Sequence, residues 1–205
     1  GNLVPRNPKA FTRYEGNVDK AFEEFMGRRE DMREYGFMNF GDWYGERTWN
    51  WGNVEYDTQF ALALHFMRTG HRASLLRADE AAFHNGDVDT LHYASSPNAI
   101  GRVWAHSLGH TGGYFPPEFK KMGGFATGGR GAGHTWCRGH FLLWALTGNE
   151  RYRDAGEKVA HYQAVELPRN VSLGTNRDGG WTLIGALGAY QVSGDPFYLN
   201  GAKRL

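Results

Sequence analysis

The chain has 205 residues, with 23 basic and 22 acidic side chains and a formal net charge of +1. That balance carries no electrostatic footprint of a nucleic-acid binder or a polybasic membrane surface, and no apolar run approaches the length of a membrane span. Cys137 is the sole cysteine, which excludes an internal disulfide.

Residues 1–16 carry two prolines and scattered charge and read as an extended lead-in. Asn17 or Asp19 is predicted to cap a helix over 18–35, with Ala21, Phe22, Phe25 and Met26 on one face and Gly36 as its stop. The stretch 41–57, GDWYGERTWNWGNVEYD, follows neither the helical nor the strand period and reads as a functional loop. Asp57 or Thr58 then caps an apolar helix that ends at Gly70, and a second helix runs from His71 to about residue 83. Residues 84–133 are too long for a connector and are predicted to be a functional insertion, with a short helix near 117–122 and no strand. Two further apolar helices are expected at 135–146 and 181–192.

One pattern recurs along the chain. MRTGHRASLLRADEAA at 67–82 matches ALTGNERYRDAGEKVA at 145–160, and QVSGDPFYLNGAKRL begins a third copy at 191. Each is an apolar helix, a Thr-Gly or Ser-Gly stop, a short turn and a second helix. Glycine at each stop suits the left-handed residue that ends a helix. The expectation is therefore an all-α fold, one domain over 1–205, built from helix-hairpin repeats in an array or ring. A start at Gly1 without methionine or signal pattern, and an end inside a helical run at Leu205, suggest a fragment of a longer protein.

Five of the nine histidines, His92, His106, His110, His134 and His140, lie between residues 92 and 140. His106 and His110 have the spacing of a helical zinc motif. Gly109, Thr111, Gly112 and Gly113 argue against a helix there, and Ser107 stands where a metalloprotease motif needs glutamate. No metal ligand is assigned and no cofactor is called for, with a divalent metal left as an open alternative. His65 and His161 read as structural, and His71 and His84 as surface residues. Tyr93 beside His92 and Tyr114 four after His110 pair a phenol with an imidazole, and Arg102, Arg130 and Arg138 supply cations. Abstraction of a proton beside a carboxylate needs that set: a cation to neutralise the carboxylate, a base for the carbon-bound proton, and an acid for the leaving oxygen.

Carboxylates offer a rival chemistry. Glu46, Glu55, Asp57, Asp87 and Asp89 include candidates for the acid and base of a glycoside hydrolase, although Asp57 reads equally as a helix cap and Asp87 and Asp89 as solvated loop residues. GGRGAGH lacks the lysine and Ser/Thr of a phosphate loop. Cys137 is a candidate nucleophile, against the commoner role of a small buried residue.

On GDWYGERTWNWGNVEYD, the apolar helix ending RTG, the later DVDTLHY and the HTGGYF segment, the chain resembles the exo-rhamnogalacturonan lyase-like family of polysaccharide lyases. The resemblance spans roughly residues 41–146. It implies that the hairpins form part of an (α/α) toroid, that β-sandwich domains flank it in a full-length chain, and that the reaction is β-elimination at a uronic acid of a pectin-type glycan. The expected partner is then an acidic polysaccharide or oligosaccharide, and the location secreted or periplasmic. From chemistry and motif position, the catalytic candidates are His92, Tyr93, His110, Tyr114, His134 and Arg138. The substrate-binding candidates are Trp43, Tyr44, Arg47, Trp49, Trp51, Asn53, Glu55, Asp57, Arg102 and Trp136. Hydrolysis through Glu55 or Asp57, and sugar binding without catalysis, are the alternatives.

Overall fold

The computed structural model describes residues 5–36, 39–44, 51–104, 132–165 and 176–205. Among them are seven α-helices: α1 (Thr12–Met32), α2 (Thr58–Thr69), α3 (Arg72–His84), α4 (Arg138–Thr147), α5 (Glu150–Val165), α6 (Asn176–Ser193) and α7 (Pro196–Ala202). The fold is all-α; extended pairing among the described residues is limited to the isolated bridges Tyr44 to Trp51 and Thr90 to Val103.

Three hairpins, α2–α3, α4–α5 and α6–α7, turn in the same way. Gly70, Gly148 and Gly194 sit at φ +73°, +70° and +69°. Their amides donate to the carbonyls of Phe66, Trp144 and Tyr190, at 2.7, 2.8 and 2.8 Å. The hydroxyl before each glycine has two tasks. Thr69, Thr147 and Ser193 donate to the carbonyls of His65, Leu143 and Ala189. The same hydroxyls accept from the amides of His71, Asn149 and Asp195. The Thr/Ser-Gly dipeptide is thus a stop in which the side chain satisfies the amide that begins the next helix.

The first helices pack in the order α2, α4, α6, while α3 lies on α2 and α4, α5 on α4 and α6, and α7 on α6 and α5. Leu62, Ala63, Ala78, Ala82, Leu143 and Tyr152 form one core cluster, capped by Phe22 and Phe25 of α1. Phe141, Val159, Ala160, Ala164, Ala189 and Tyr198 belong to the second. Small residues let the helices approach: a Cβ on Gly139 would lie 2.1 Å from Gln59 Cγ and 2.6 Å from Phe60 N.

Three expectations are corrected. α1 begins at Thr12, inside the supposed extended lead-in, because Asn7 starts a turn whose side chain accepts from the Ala10 amide at 3.0 Å. Its end is Arg33, a left-handed residue at φ +51°, rather than Gly36. Insertion residues 85–104 are ordered into a π-helical turn (Asn85–Asp89) and a 3-10 turn (Pro97–Ala99), with the Leu91 amide donating to the Arg102 carbonyl at 2.8 Å. The helix expected at 117–122 lies outside the described residues.

Candidate functional site

Because the hairpins stand side by side, the segments that enter α2, α4 and α6 meet at one end of the row. Glu55, Tyr56 and Asp57 precede α2, His134 and Trp136 precede α4, and Arg177 and Trp181 occupy the first turns of α6. Glu55 is buried, its Oε1 3.4 Å from His134 Nδ1 and 3.7 Å from Arg177 Nη1. Arg177 Nη1 lies 3.2 Å from His134 Nε2, and Nη2 donates to the Tyr56 hydroxyl at 2.9 Å.

The tautomer of His134 follows from its neighbours. A guanidinium only donates, so Nε2 accepts from Arg177 and the ring proton sits on Nδ1, facing the Glu55 carboxylate. The result is an imidazole with its basic lone pair turned toward the Arg177 cation, whose other amine donates to the Tyr56 phenol. Arg177 and Tyr56 are each close to half exposed, whereas Glu55 and Trp136 are closed off from solvent. A ligand anion therefore meets Arg177 and Tyr56 first, with His134 behind them.

Local packing fixes this geometry. His134 ends a 3-10 turn whose Gly133 admits α6: a Cβ there would lie 2.7 Å from Arg177 Cδ and 2.6 Å from Asp178 Oδ1. Gln163 of α5 ties the entry segment to α6, donating to the Thr135 carbonyl at 2.9 Å and the Trp181 carbonyl at 3.3 Å and accepting from Cys137 at 3.2 Å. The ring of Trp136 lies beside Tyr56, His134 and Trp181, at centroid distances of 6.3, 5.8 and 5.6 Å.

The turn before α2 is strained. Asn53, Val54, Tyr56 and Asp57 all have positive φ, between +50° and +64°. Asparagine and aspartate tolerate this; for β-branched Val54 it is a true outlier. Asp57 completes the turn and joins two helices, since its carboxylate accepts from the Gly139 amide at the start of α4 (3.1 and 3.3 Å). Burial pushes its pKa up to about 7, against the lowering effect of the Gly139 amide and the Arg138 charge.

The remaining sequence candidates take other places. Arg138 stacks over Phe60 at 4.3 Å and Arg102 over Tyr162 at 5.3 Å. His92 contacts the Gly86 carbonyl, and Tyr93 is 84% exposed. Trp136 is 1% exposed, so its ring supports the site from beneath rather than offering a sugar-stacking face. Trp43 donates to Thr58 Oγ1 at 3.1 Å and Trp51 packs edge-on against Tyr44 at 5.1 Å, which makes this wall in part structural. Asn53 is buried, its amide donating to Asp89 Oδ1 at 2.9 Å and to the Trp104 carbonyl at 3.1 Å. Arg47, Trp49, His110 and Tyr114 lie outside the described residues.

His84, expected at the surface, and Asp89, a hydrolase candidate with a solvated loop position as its alternative, are both fully buried and lie 3.3 Å apart. Asp87 is exposed and pairs with Arg151 at 2.8 Å. Burial raises the Cys137 thiol well above its usual range, which removes it as a nucleophile. Arg177 and Tyr56 were missed. Tyr56 lay within the aromatic stretch singled out from the sequence, whereas nothing local marks Arg177. Among the described residues no group of three His, Cys, Asp or Glu side chains is arranged to hold a metal ion. The sequence matches no protein-family model and no curated protein.

Proposed function

We propose that the chain is the catalytic helical core of a polysaccharide lyase that cleaves a uronic-acid-containing, rhamnogalacturonan or pectin-type glycan by β-elimination. In this reading the three hairpins are an arc of an (α/α) toroid, and their shared rim is the substrate cleft. The observation that carries it is the single guanidinium of Arg177, which contacts His134 Nε2 and the Tyr56 hydroxyl at once.

Elimination next to a carboxylate needs those three groups within one ligand's reach. The uronate carboxylate binds Arg177, bidentately where it displaces the existing contacts, and the neutralised carboxylate makes the C5 proton more acidic. His134 Nε2 takes that proton, and Glu55 behind Nδ1 stabilises the imidazolium. The C5–H electron pair becomes the C4=C5 double bond as the C4–O bond breaks. The Tyr56 hydroxyl protonates the leaving oxygen. Hydrolysis through two carboxylates is less well supported, because Asp57 is committed to the start of α4.

The test is turnover of pectic rhamnogalacturonan, read as ultraviolet absorbance of the new C=C bond. His134→Ala and Arg177→Ala are each expected to lower the rate by about 100-fold or more. New reducing ends without absorbance point to hydrolysis. A loss of less than about tenfold in both variants rejects the assignment.

A further inference from the structure

Behind the strained turn lies a buried charge network that the proposed chemistry does not use. His84 ends α3, and the π-helical turn that follows swings Asp89 back against it. His84 Nε2 lies 3.3 Å from Asp89 Oδ1 and 3.7 Å from Asp42 Oδ2, while Nδ1 is 3.1 Å from the Phe40 carbonyl. Both ring nitrogens face oxygens that can accept, an arrangement suited to an imidazolium, while burial pushes the Asp89 carboxyl up as well. Burial alone would lower its pKa, but the Asp89 and Asp42 carboxylates raise it to about 9.

The two carboxylates grip the turn from two sides. Asp42 accepts from the Asn53 amide at 3.0 Å and the Val54 amide at 2.8 Å, and Asp89 accepts from the Asn53 side chain at 2.9 Å. His84 thus balances, in the interior, the charges that hold residues 53–57 in their left-handed shape. Loss of those contacts is expected to let Val54 and Tyr56 return to ordinary φ, which would swing Glu55 away from His134 and Tyr56 away from Arg177.

We propose that Asp42, His84 and Asp89 are positioning residues of the site, clamping the 53–57 turn so that Glu55 meets His134 and Tyr56 meets Arg177. This rests on the reading that the Glu55–His134–Arg177 group is the active centre, but its test does not depend on activity. Two variants are informative. Asp42→Asn replaces one of the two acceptor oxygens by a donor, so one of the paired amides loses its partner. Asn53→Gly cuts the link to Asp89 while leaving a residue for which φ +50° costs nothing; it keeps the test alive if Asp42→Asn does not fold.

The readout is the pair of imidazole nitrogen signals of His134 in histidine-labelled protein, assigned with His134→Ala and compared with Glu55→Gln. Both variants are expected to move those signals toward the Glu55→Gln values with the helical circular dichroism retained. On substrate, kcat should fall at least about tenfold with KM nearly unchanged, since misplacement by about an ångström has that effect. Wild-type His134 signals in Asn53→Gly and in any folded Asp42→Asn protein overturn the proposal, as does failure of Glu55→Gln itself to move them. Shifted His134 signals in a protein that eliminates no substrate uphold the clamp and refute the lyase chemistry.

Discussion

Asp57→Asn separates what burial costs from what the carboxylate contributes. Asp57 is fully buried, with its pKa raised from 3.8 to about 7. The sign follows from proton counting: between those values the folded chain holds a proton that the unfolded chain has released, so stability falls as pH rises and levels off above about 7. A gap of about three pKa units is worth roughly 4 kcal/mol between the acid and alkaline plateaus. Asparagine keeps an oxygen for the Gly139 amide, tolerates the φ of +59° and does not titrate. Its stability relative to wild type should therefore improve by a few kcal/mol between about pH 4.5 and about pH 8, whatever constant offset the lost acceptor introduces. Urea unfolding followed by circular dichroism across that range gives the difference directly, and titrations shared by both proteins cancel. A difference that stays constant to within about 1 kcal/mol would refute the burial of an ionisable Asp57 between α2 and α4.

Gly139→Ala should cost about 3 kcal/mol or more, or roughly 6–12 °C in Tm, because the new methyl meets the Phe60 backbone and the Asp57 carboxylate as well as Cγ, the near end of the fully buried Gln59 side chain; an unchanged Tm refutes the close approach of α2 and α4. Burial lowers His140 to about 4. The stability it gives is present above its unfolded value of 6.5 and is lost as pH falls toward 4, so His140→Gln should flatten the acid side of the stability curve in urea titrations. Thr147→Ala should lose about 1 kcal/mol in urea unfolding through its two stop-turn hydrogen bonds, and an unshifted midpoint denies them that role. The Cys137 thiol should resist alkylation in the native protein and react once unfolded, as followed by mass spectrometry.

The hairpins were legible because their signals are local. A Thr/Ser-Gly stop specifies its own turn through contacts no more than four residues away, and the ends of α2 and α3 fell within a residue of expectation. The start of α1 was not legible because the helix begins upstream, after a turn at Asn7 whose side chain accepts from the Ala10 amide, so that Asn17 and Asp19 lie inside α1, where no helix end needs a cap. Of the site, Glu55 and His134 stand out by their chemistry and motif position, but their meeting was not legible. It depends on α2, α4 and α6 standing in a row, and Arg177 enters only through that row. His84 had a readable signal that went unused: it lies on the same face of α3 as the buried Ser74, Arg77 and Ala81, and a histidine on a buried face needs partners.

Strain gives independent support for the place of the site. Outside residues 53–57, the one described non-glycine residue at positive φ is Arg33, where it serves the ordinary purpose of ending a helix. Left-handed backbone at Val54 and Tyr56 costs about 1–2 kcal/mol each, and a turn of glycines would join the same ends without that cost. What glycine would not supply is Tyr56 against Arg177, with Glu55 between them held against His134. Buried carboxylates at Asp42 and Asp89, and a buried imidazolium to balance them, are themselves unfavourable unless fully paired. Their cost is understandable if the shape they enforce is what the chain needs. The inference runs from an observed outlier to a function, and it selects the segment entering α2, one of the three rim segments that the polar contacts bring together.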